Sequence, residues 1–115
     1  MKLKNVDIIN IADALERIGN AQGNIEVKWK VALYADKYIK MRELIKNEVN
    51  NIINEQGKDD GNGNKSINTD NEDFVKLMNI QTNIDEEKIE LSFFTGCDLP
   101  STSDLIMLKP IIDNK

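Results

Sequence analysis

A chain of 115 residues with 20 acidic and 15 basic side chains, a net charge of −5 and no histidine is one domain, or a small domain with an extension. The usual general base is absent, and the single cysteine, Cys97, can build neither an internal disulfide nor a zinc site and points to a reducing, intracellular location. No apolar run approaches the roughly 20 residues that cross a bilayer, and the basic start Met1-Lys2-Leu3-Lys4-Asn5 leads into an amphipathic segment, which is not a secretory signal.

Asn5 to Ile18 reads as a first helix. Ile8, Ile11, Leu15 and Ile18 recur at helical steps, and Ala12 fills the stripe. Asn5 can cap it, and Asp7 sits near the positive end of the helix dipole. Gly19-Asn20 ends it, and Ala21 to Asn24 is too short to allow anything but an antiparallel hairpin or a sharp corner.

Val27 to about Glu55 carries the longest pattern in the chain. Val27, Val31, Tyr34, Tyr38, Met41, Ile45, Val49 and Ile52 share one helical face, widened by Ala35, Leu44 and Ile53. Neither Pro nor Gly interrupts residues 25–56. Gly57 is expected to stop the helix in a left-handed conformation. Such a helix is roughly 43 Å long, longer than the about 35 Å of a compact chain of this size. Either one end projects or lies along a partner, or the rest of the chain covers the stripe. Ile25, Val27, Trp29 and Val31 also alternate with charged residues, which fits a short strand, but the 3.6-residue pattern continues unbroken and favours helix.

Residues 57–71 are polar, with an Asn-Gly turn signal in Gly61-Asn62-Gly63-Asn64; they form a loop or a small two-stranded hairpin. Asp60, Asn62, Asn64, Ser66 and Asn68 alternate like a calcium loop, but Lys65 stands where that loop needs Gly and Asn71 where it needs Glu, so no metal is expected. Thr69 with Glu72 reads as a capping box opening a helix to about Asn79 that buries Phe74, Leu77 and Met78. Lys88 to Phe94 alternates as a strand, with Ile89, Leu91 and Phe93 on one face. Ser101 with Asp104 repeats the capping logic for a last short helix through Leu105, Ile106 and Leu108. Pro110 ends or kinks it, and Ile111 and Ile112 are expected to pack down.

The fold class that follows is mainly α with a small β element (α+β). It comprises a helical hairpin (1–56) with one long helix, a polar loop or small hairpin (57–71) and a helix-strand-helix region (72–115), all within a single domain 1–115.

Chemistry is absent from the motifs. The carboxylate pairs Asp59-Asp60 and Glu72-Asp73 and the run Asp85-Glu86-Glu87 lie in polar segments and read as solvated surface. Cys97 lacks a histidine to activate it, and Gly61 and Gly63 lack the Lys-Ser or Lys-Thr of a phosphate loop. No catalytic, cofactor-binding or metal-ligating residue is assigned, and the chain is not expected to be an enzyme.

Charge is unevenly spread: residues 1–46 hold nine basic and six acidic side chains, residues 47–115 six basic and fourteen acidic. The acidic half argues against direct nucleic-acid binding; it either serves ordinary solubility or suits a basic protein partner, such as a nucleic-acid enzyme. The long helix carries the basic part on its outer face through Lys28, Lys30, Lys37, Lys40, Arg42 and Lys46. Trp29 lies off the main stripe, where it meets either the C-terminal half of this same chain or another protein, and Phe94 points away from Phe93. These two aromatics, with Lys30 and Lys37, are the candidate partner-binding residues.

The order of features resembles a family of small uncharacterised phage and prophage proteins of low-GC Gram-positive bacteria. The resemblance rests on Met1-Lys2-Leu3-Lys4-Asn5 with Ile8 to Leu15. It continues through Ile25-Glu26-Val27-Lys28 and Val31-Ala32-Leu33-Tyr34-Ala35-Asp36-Lys37, then the turn Gly57-Lys58-Asp59-Asp60-Gly61-Asn62-Gly63. It ends with Leu99-Pro100-Ser101, Asp104-Leu105 and Leu108-Lys109-Pro110-Ile111-Ile112. It implies a phage-encoded protein and carries no activity over onto residues. The expected function is a non-enzymatic one exerted by protein–protein contact in the host cytoplasm, as an inhibitor of a host defence complex of the anti-CRISPR kind. The alternative is a virion structural or assembly protein (a connector, tail or chaperone subunit), for which a homo-oligomer is expected.

Overall fold

Ile25–Gln56 forms one uninterrupted helix, α2, in the computed structural model, which describes residues 2–20, 25–84, 88–90 and 101–113. Its 32 residues at 1.5 Å each span about 48 Å, and the longest dimension of the molecule is 49 Å. The radius of gyration is 16.4 Å, above the about 13 Å of a compact chain of this length. The helix therefore sets the length of the molecule. Its first turns are helical, not the strand that the local alternation also allowed.

Asn5–Asn20 forms α1, two residues longer than the expected span. Gly19 packs beside Val31, while Asn5 lines a groove with Ile45, so the two helices run antiparallel. One whole face of α1 is buried, through Ile8, Ile11, Ala12, Leu15 and Ile18. It meets Val31, Ala35, Tyr38 and Ile45 of α2. Each of these large side chains contributes about 1.5–3 kcal/mol by leaving water. Leu44 was expected to widen this stripe; it is instead 67% exposed. One residue before Ile45, it stands about 100° around the helix and beyond the reach of α1.

Arg42 is the second departure. The sequence placed it on the outer basic face, yet it is buried on α2 between Tyr38 and Ile45. Its Nη1 donates to Asp13 Oδ1 at 2.5 Å and its Nη2 to Glu16 Oε2 at 2.6 Å. The hydrogen bond to Glu16 outweighs the cost of burial and, with that to Asp13, raises the Arg42 pKa above its ordinary value. Its Nε is buried without a partner among the described residues.

Lys2–Lys4 forms a short strand, β1, that the sequence pattern did not reveal. It pairs antiparallel with Gln81–Asn83 (β4), with Leu3 opposite Thr82 and buried. Asn5 follows directly and does not serve as the expected cap. Its Nδ2 donates to the Leu77 carbonyl at 2.8 Å, its Oδ1 accepts from the Thr82 hydroxyl at 3.4 Å and its backbone N–H donates to the Ile80 carbonyl at 3.0 Å. One buried side chain thus ties the start of α1 to a segment more than 70 residues away.

Glu72–Asn79 (α3) is capped by Asn71, whose side chain accepts from the Phe74 N–H; the expected Thr69 box is not used. Phe74, Leu77 and Met78 are half-buried. Ile89–Glu90 (β5) lies within the expected strand, with Ile89 buried; Leu91, Phe93 and Phe94 lie outside the described residues. Thr102–Leu108 (α4) begins with the expected capping box between Ser101 and Asp104. Pro110 turns the chain into a 3-10 turn over Lys109–Ile111, and Ile112–Asp113 (β6) then pairs parallel with β5. Ile111 is buried, as the apolar tail implied.

Asp104 also fixes α4 onto α1. Its buried carboxylate accepts from Arg17 Nε at 2.8 Å and from Arg17 Nη2. Burial pushes this carboxyl up, but the hydrogen bonds from Arg17 and Ser101 and the charge of Arg17 together hold its pKa below the ordinary 3.8.

At the far end of α2, Lys58–Asp59 (β2) and Lys65–Ser66 (β3) form a two-stranded hairpin. Gly61 and Gly63 take positive φ at 89° and 82° in its turn. Asp59 Oδ1 accepts from the Gly61 N–H at 2.9 Å and Asp60 Oδ1 from the Asn62 N–H at 2.8 Å. Of the residues that resembled a calcium loop, Asp60, Asn62 and Asn64 are thus turn residues and Ser66 lies in β3. Gly57 stops α2 for a different reason from the one expected. It is not among the positive-φ glycines; its N–H donates to the Ile53 carbonyl at 2.7 Å, and a Cβ would lie 2.3 Å from that oxygen.

Two outcomes follow for stability. Gly57→Ala forces this helix end to shift and is expected to cost about 1–3 kcal/mol, read as a lowered midpoint in urea. Because the folded-state pKa of Asp104 is depressed, its contribution is complete above 3.8 and is lost as pH falls through the folded value. Acid unfolding followed by circular dichroism should therefore show a less steep loss of stability in Asp104→Asn; an unchanged slope would contradict the pairing with Arg17.

Candidate interaction surface

With α1 covering one side of α2, the opposite side is left to solvent. At 100° per residue, Val31, Ala35, Tyr38, Arg42 and Ile45 define the covered face. Trp29 points almost directly away from it. Ile25, Trp29 and Leu33, each one turn apart, are 77%, 65% and 57% exposed. They form a ridge about 12 Å long on the first turns of the helix. Leu44 continues the same side about 17 Å further on. Between them, Asp36 and Lys40 make an exposed i,i+4 ion pair at 2.9 Å. Beyond Leu44 the side becomes polar, through Asn47 and Asn51. Isolated exposed apolar residues are ordinary; four large ones in one arc of one helix are not.

Leu44 also borders a groove of about 260 Å3 that it shares with Met41, Ile45 and Leu77, with Asn5, Glu48 and Thr82 as the polar members. The groove lies where the start of α1, at Asn5, meets α3 and β4 beside α2. It is mostly apolar and open, which suits a single large side chain from outside.

The second surface lies at the C-terminal end of α2. Gln56 Nε2 donates to Asp73 at 2.5 Å, and Asn71 Nδ2 donates to Gln56 Oε1 at 3.0 Å, so the start of α3 is held beside the helix end. Lys65 of the hairpin reaches the Asn54 carbonyl at 3.4 Å. Exposed Glu55, Asp59, Asp60, Asp70 and Glu72 are thereby gathered around one end of the long axis. The last turn of α2 itself carries no basic residue; Lys65 meets its Asn54 carbonyl from the hairpin, and Lys76 pairs with Glu72 at 3.1 Å, but with Lys58 these three lysines are outnumbered by the carboxylates around them.

Of the candidate partner-binding residues, Trp29 and Lys30 are exposed and Lys37 half-buried, all on α2; Phe94 lies outside the described residues. Lys30 and Lys37 flank the ridge on one side, about 100° from Trp29. The sequence reading isolated Trp29 but missed Ile25, Leu33 and Leu44 as its companions. Their signal was partly present: Ile25 and Leu33 fall opposite the long stripe on the helical wheel, whereas Leu44 reads from spacing as an edge of it. Among the described residues, no group of acidic, cysteine or histidine side chains could hold a metal ion. No helix there is long and apolar enough to cross a membrane.

Trp29→Ala is expected to change unfolding free energy by less than about 0.5 kcal/mol, whereas Tyr38→Ala, on the covered face, should cost about 3–5 kcal/mol. Urea denaturation of the two variants makes the comparison. A large loss in Trp29→Ala would show that the ridge belongs to the core.

Neither a protein-family model, nor a curated protein, nor a solved structure matches the chain, so the functional reading rests on these two surfaces.

Proposed function

We propose that this is a phage-encoded, non-enzymatic protein that acts by protein–protein contact in the host cytoplasm, where it inhibits a host defence complex of the anti-CRISPR kind. The observation that carries this reading is the acidic end of the long axis. Exposed carboxylates around a helix C-terminus present the charge of a nucleic-acid backbone without its chemistry. A host complex that binds nucleic acid has a basic channel that attracts such a surface at long range. The same charge disfavours direct binding of DNA or RNA by this protein. The resemblance to phage proteins supplies the setting, and the lack of histidine favours contact over catalysis.

The exposed ridge of α2 favours a second reading, a virion structural or assembly protein, in which copies pack side by side. That reading places the protein in the particle.

Plating tests the first reading. Phage challenge of a host carrying an RNA-guided defence system should succeed when this chain is expressed and fail without it. The variant with Glu55→Lys and Asp70→Lys, two exposed carboxylates outside the hairpin turn, should lose that protection by about tenfold or more while keeping its fold. Full protection by the variant would sink the acidic-end reading. Abundant recovery of the chain from purified virions by mass spectrometry would favour the second.

A further inference from the structure

The turn of the β2–β3 hairpin holds the chain's one Asn-Gly pair, Asn62-Gly63. The turn is closed by the Asp60 N–H, which donates to the Asn64 carbonyl at 3.0 Å. Its first half is pinned, since Asp59 Oδ1 holds the Gly61 N–H and Asp60 Oδ1 holds the Asn62 N–H. Its second half is not. Among the described residues, neither the Asn62 carboxamide nor the Gly63 N–H has a hydrogen-bond partner. Both residues are exposed, and a Cβ on Gly63 would meet nothing within 4 Å, so the peptide between them has room to rotate. Asn62 does not take positive φ, so the pair is not locked in the two-residue turn that Asn-Gly favours between strands. Other asparagines are held. Asn47, Asn50, Asn51 and Asn54 lie inside α2, where the following N–H belongs to the helical ladder. The Asn71 carboxamide caps α3, and Asn64 is followed by Lys65, which pairs in β3.

We propose that Asn62 is a site of spontaneous modification, at which the backbone of Gly63 converts the carboxamide to a carboxylate. The Gly63 nitrogen gives its proton to solvent and bonds to Asn62 Cγ, closing a succinimide ring. The Cγ–Nδ2 bond breaks, and that nitrogen takes a proton and leaves as ammonia. Water then adds to either carbonyl of the ring and reopens it, giving aspartate or isoaspartate. Overall one water is consumed and one ammonia released, with no oxidant or reductant. Glycine suits the attacking position because a side chain there would crowd the ring closure. Asp59 and Asp60 disfavour the amide anion, and Lys58 and Lys65 of the two strands offset them. The product adds a negative charge to the acidic end of the long axis, and isoaspartate also lengthens the backbone of the turn by one carbon. The inference does not rest on the proposed action on a host complex.

The test is to incubate the full chain in neutral and in mildly alkaline buffer. Mass spectrometry then follows the peptide released by cleavage after Lys58 and Lys65. The expected result is the mass gain of an amide turned to acid, located at Asn62 and faster at the higher pH, with Asn64 of the same peptide unchanged. The intact chain should acquire a form that elutes later on anion exchange. Asn62→Gln, whose longer side chain closes a ring poorly, should slow the gain by about tenfold or more with an unchanged far-ultraviolet spectrum. The folded chain should react at Asn62 at a rate close to that of the chain unfolded in urea, because the fold leaves this half of the turn free. An unmodified Asn62, a gain that persists in Asn62→Gln, or a folded-state rate far below that in urea would each overturn the inference. If the plating experiment fails, the mass gain still decides this site.

Discussion

The seam between α1 and α2 is the constraint on which the rest of this structure depends. α1 has a face rich in Ile, Leu and Ala, and it has nowhere to bury that face except against the stripe from Val31 to Ile45. Apolar burial supplies the attraction but not the register, because apolar surfaces slide at little cost. Arg42 supplies the register. It sits inside the seam and holds Asp13 and Glu16 of α1 with separate nitrogens. A shift by one helical turn would leave a buried guanidinium without its carboxylates, a far larger penalty than any lost van der Waals contact. The remaining pieces hang on this pair. Asn5 locks β4 and the end of α3 to the start of α1, and Arg17 locks α4 to its end.

The helices were legible because periodicity is a local property written in every turn. The ends of α2 agree with the sequence reading to within two residues, and the capping box at Ser101 was readable because both its members lie within four residues. What could not be read depends on partners far away in the chain. Leu3 and its neighbours look like an ordinary amphipathic start, and only the distant Gln81–Asn83 makes them a strand. Asn5 has the composition of a cap, but its carboxamide is taken by Leu77 and Thr82. Arg42 reads as one more surface cation until Asp13 and Glu16 of another helix are seen beside it. At Gly57 the residue type was informative and its usual reason was not: close approach of the Ile53 carbonyl, not a positive φ, excludes a side chain.

The candidate surface was partly legible for the same reason. Trp29 stood out as a large aromatic off the stripe. Its significance depends on knowing that no element of the described chain covers that side, which is a matter of topology. α1 takes one face of α2. α3 and the hairpin gather at its C-terminal end, and α4 attaches to α1. The outer side from Ile25 to Leu44 is therefore uncovered by construction.

That makes its composition the informative point. A helix needs a polar outer face only for solubility, and here Lys, Asp or Gln would serve at every exposed position at no cost to the seam. Four large apolar residues stand there instead, in one arc and bounded by asparagines. Their exposed surface adds little to the stability of the single chain and invites association. Stability of the monomer cannot account for them, and neither can attraction to a basic partner, since the acidic end lies at the opposite end of α2. Separation of the two surfaces along one rigid helix lets both be used at once. Contact through the ridge leaves the acidic end exposed, and engagement of the acidic end leaves the ridge untouched. The length of α2, which exceeds what its own core requires, is what keeps them apart.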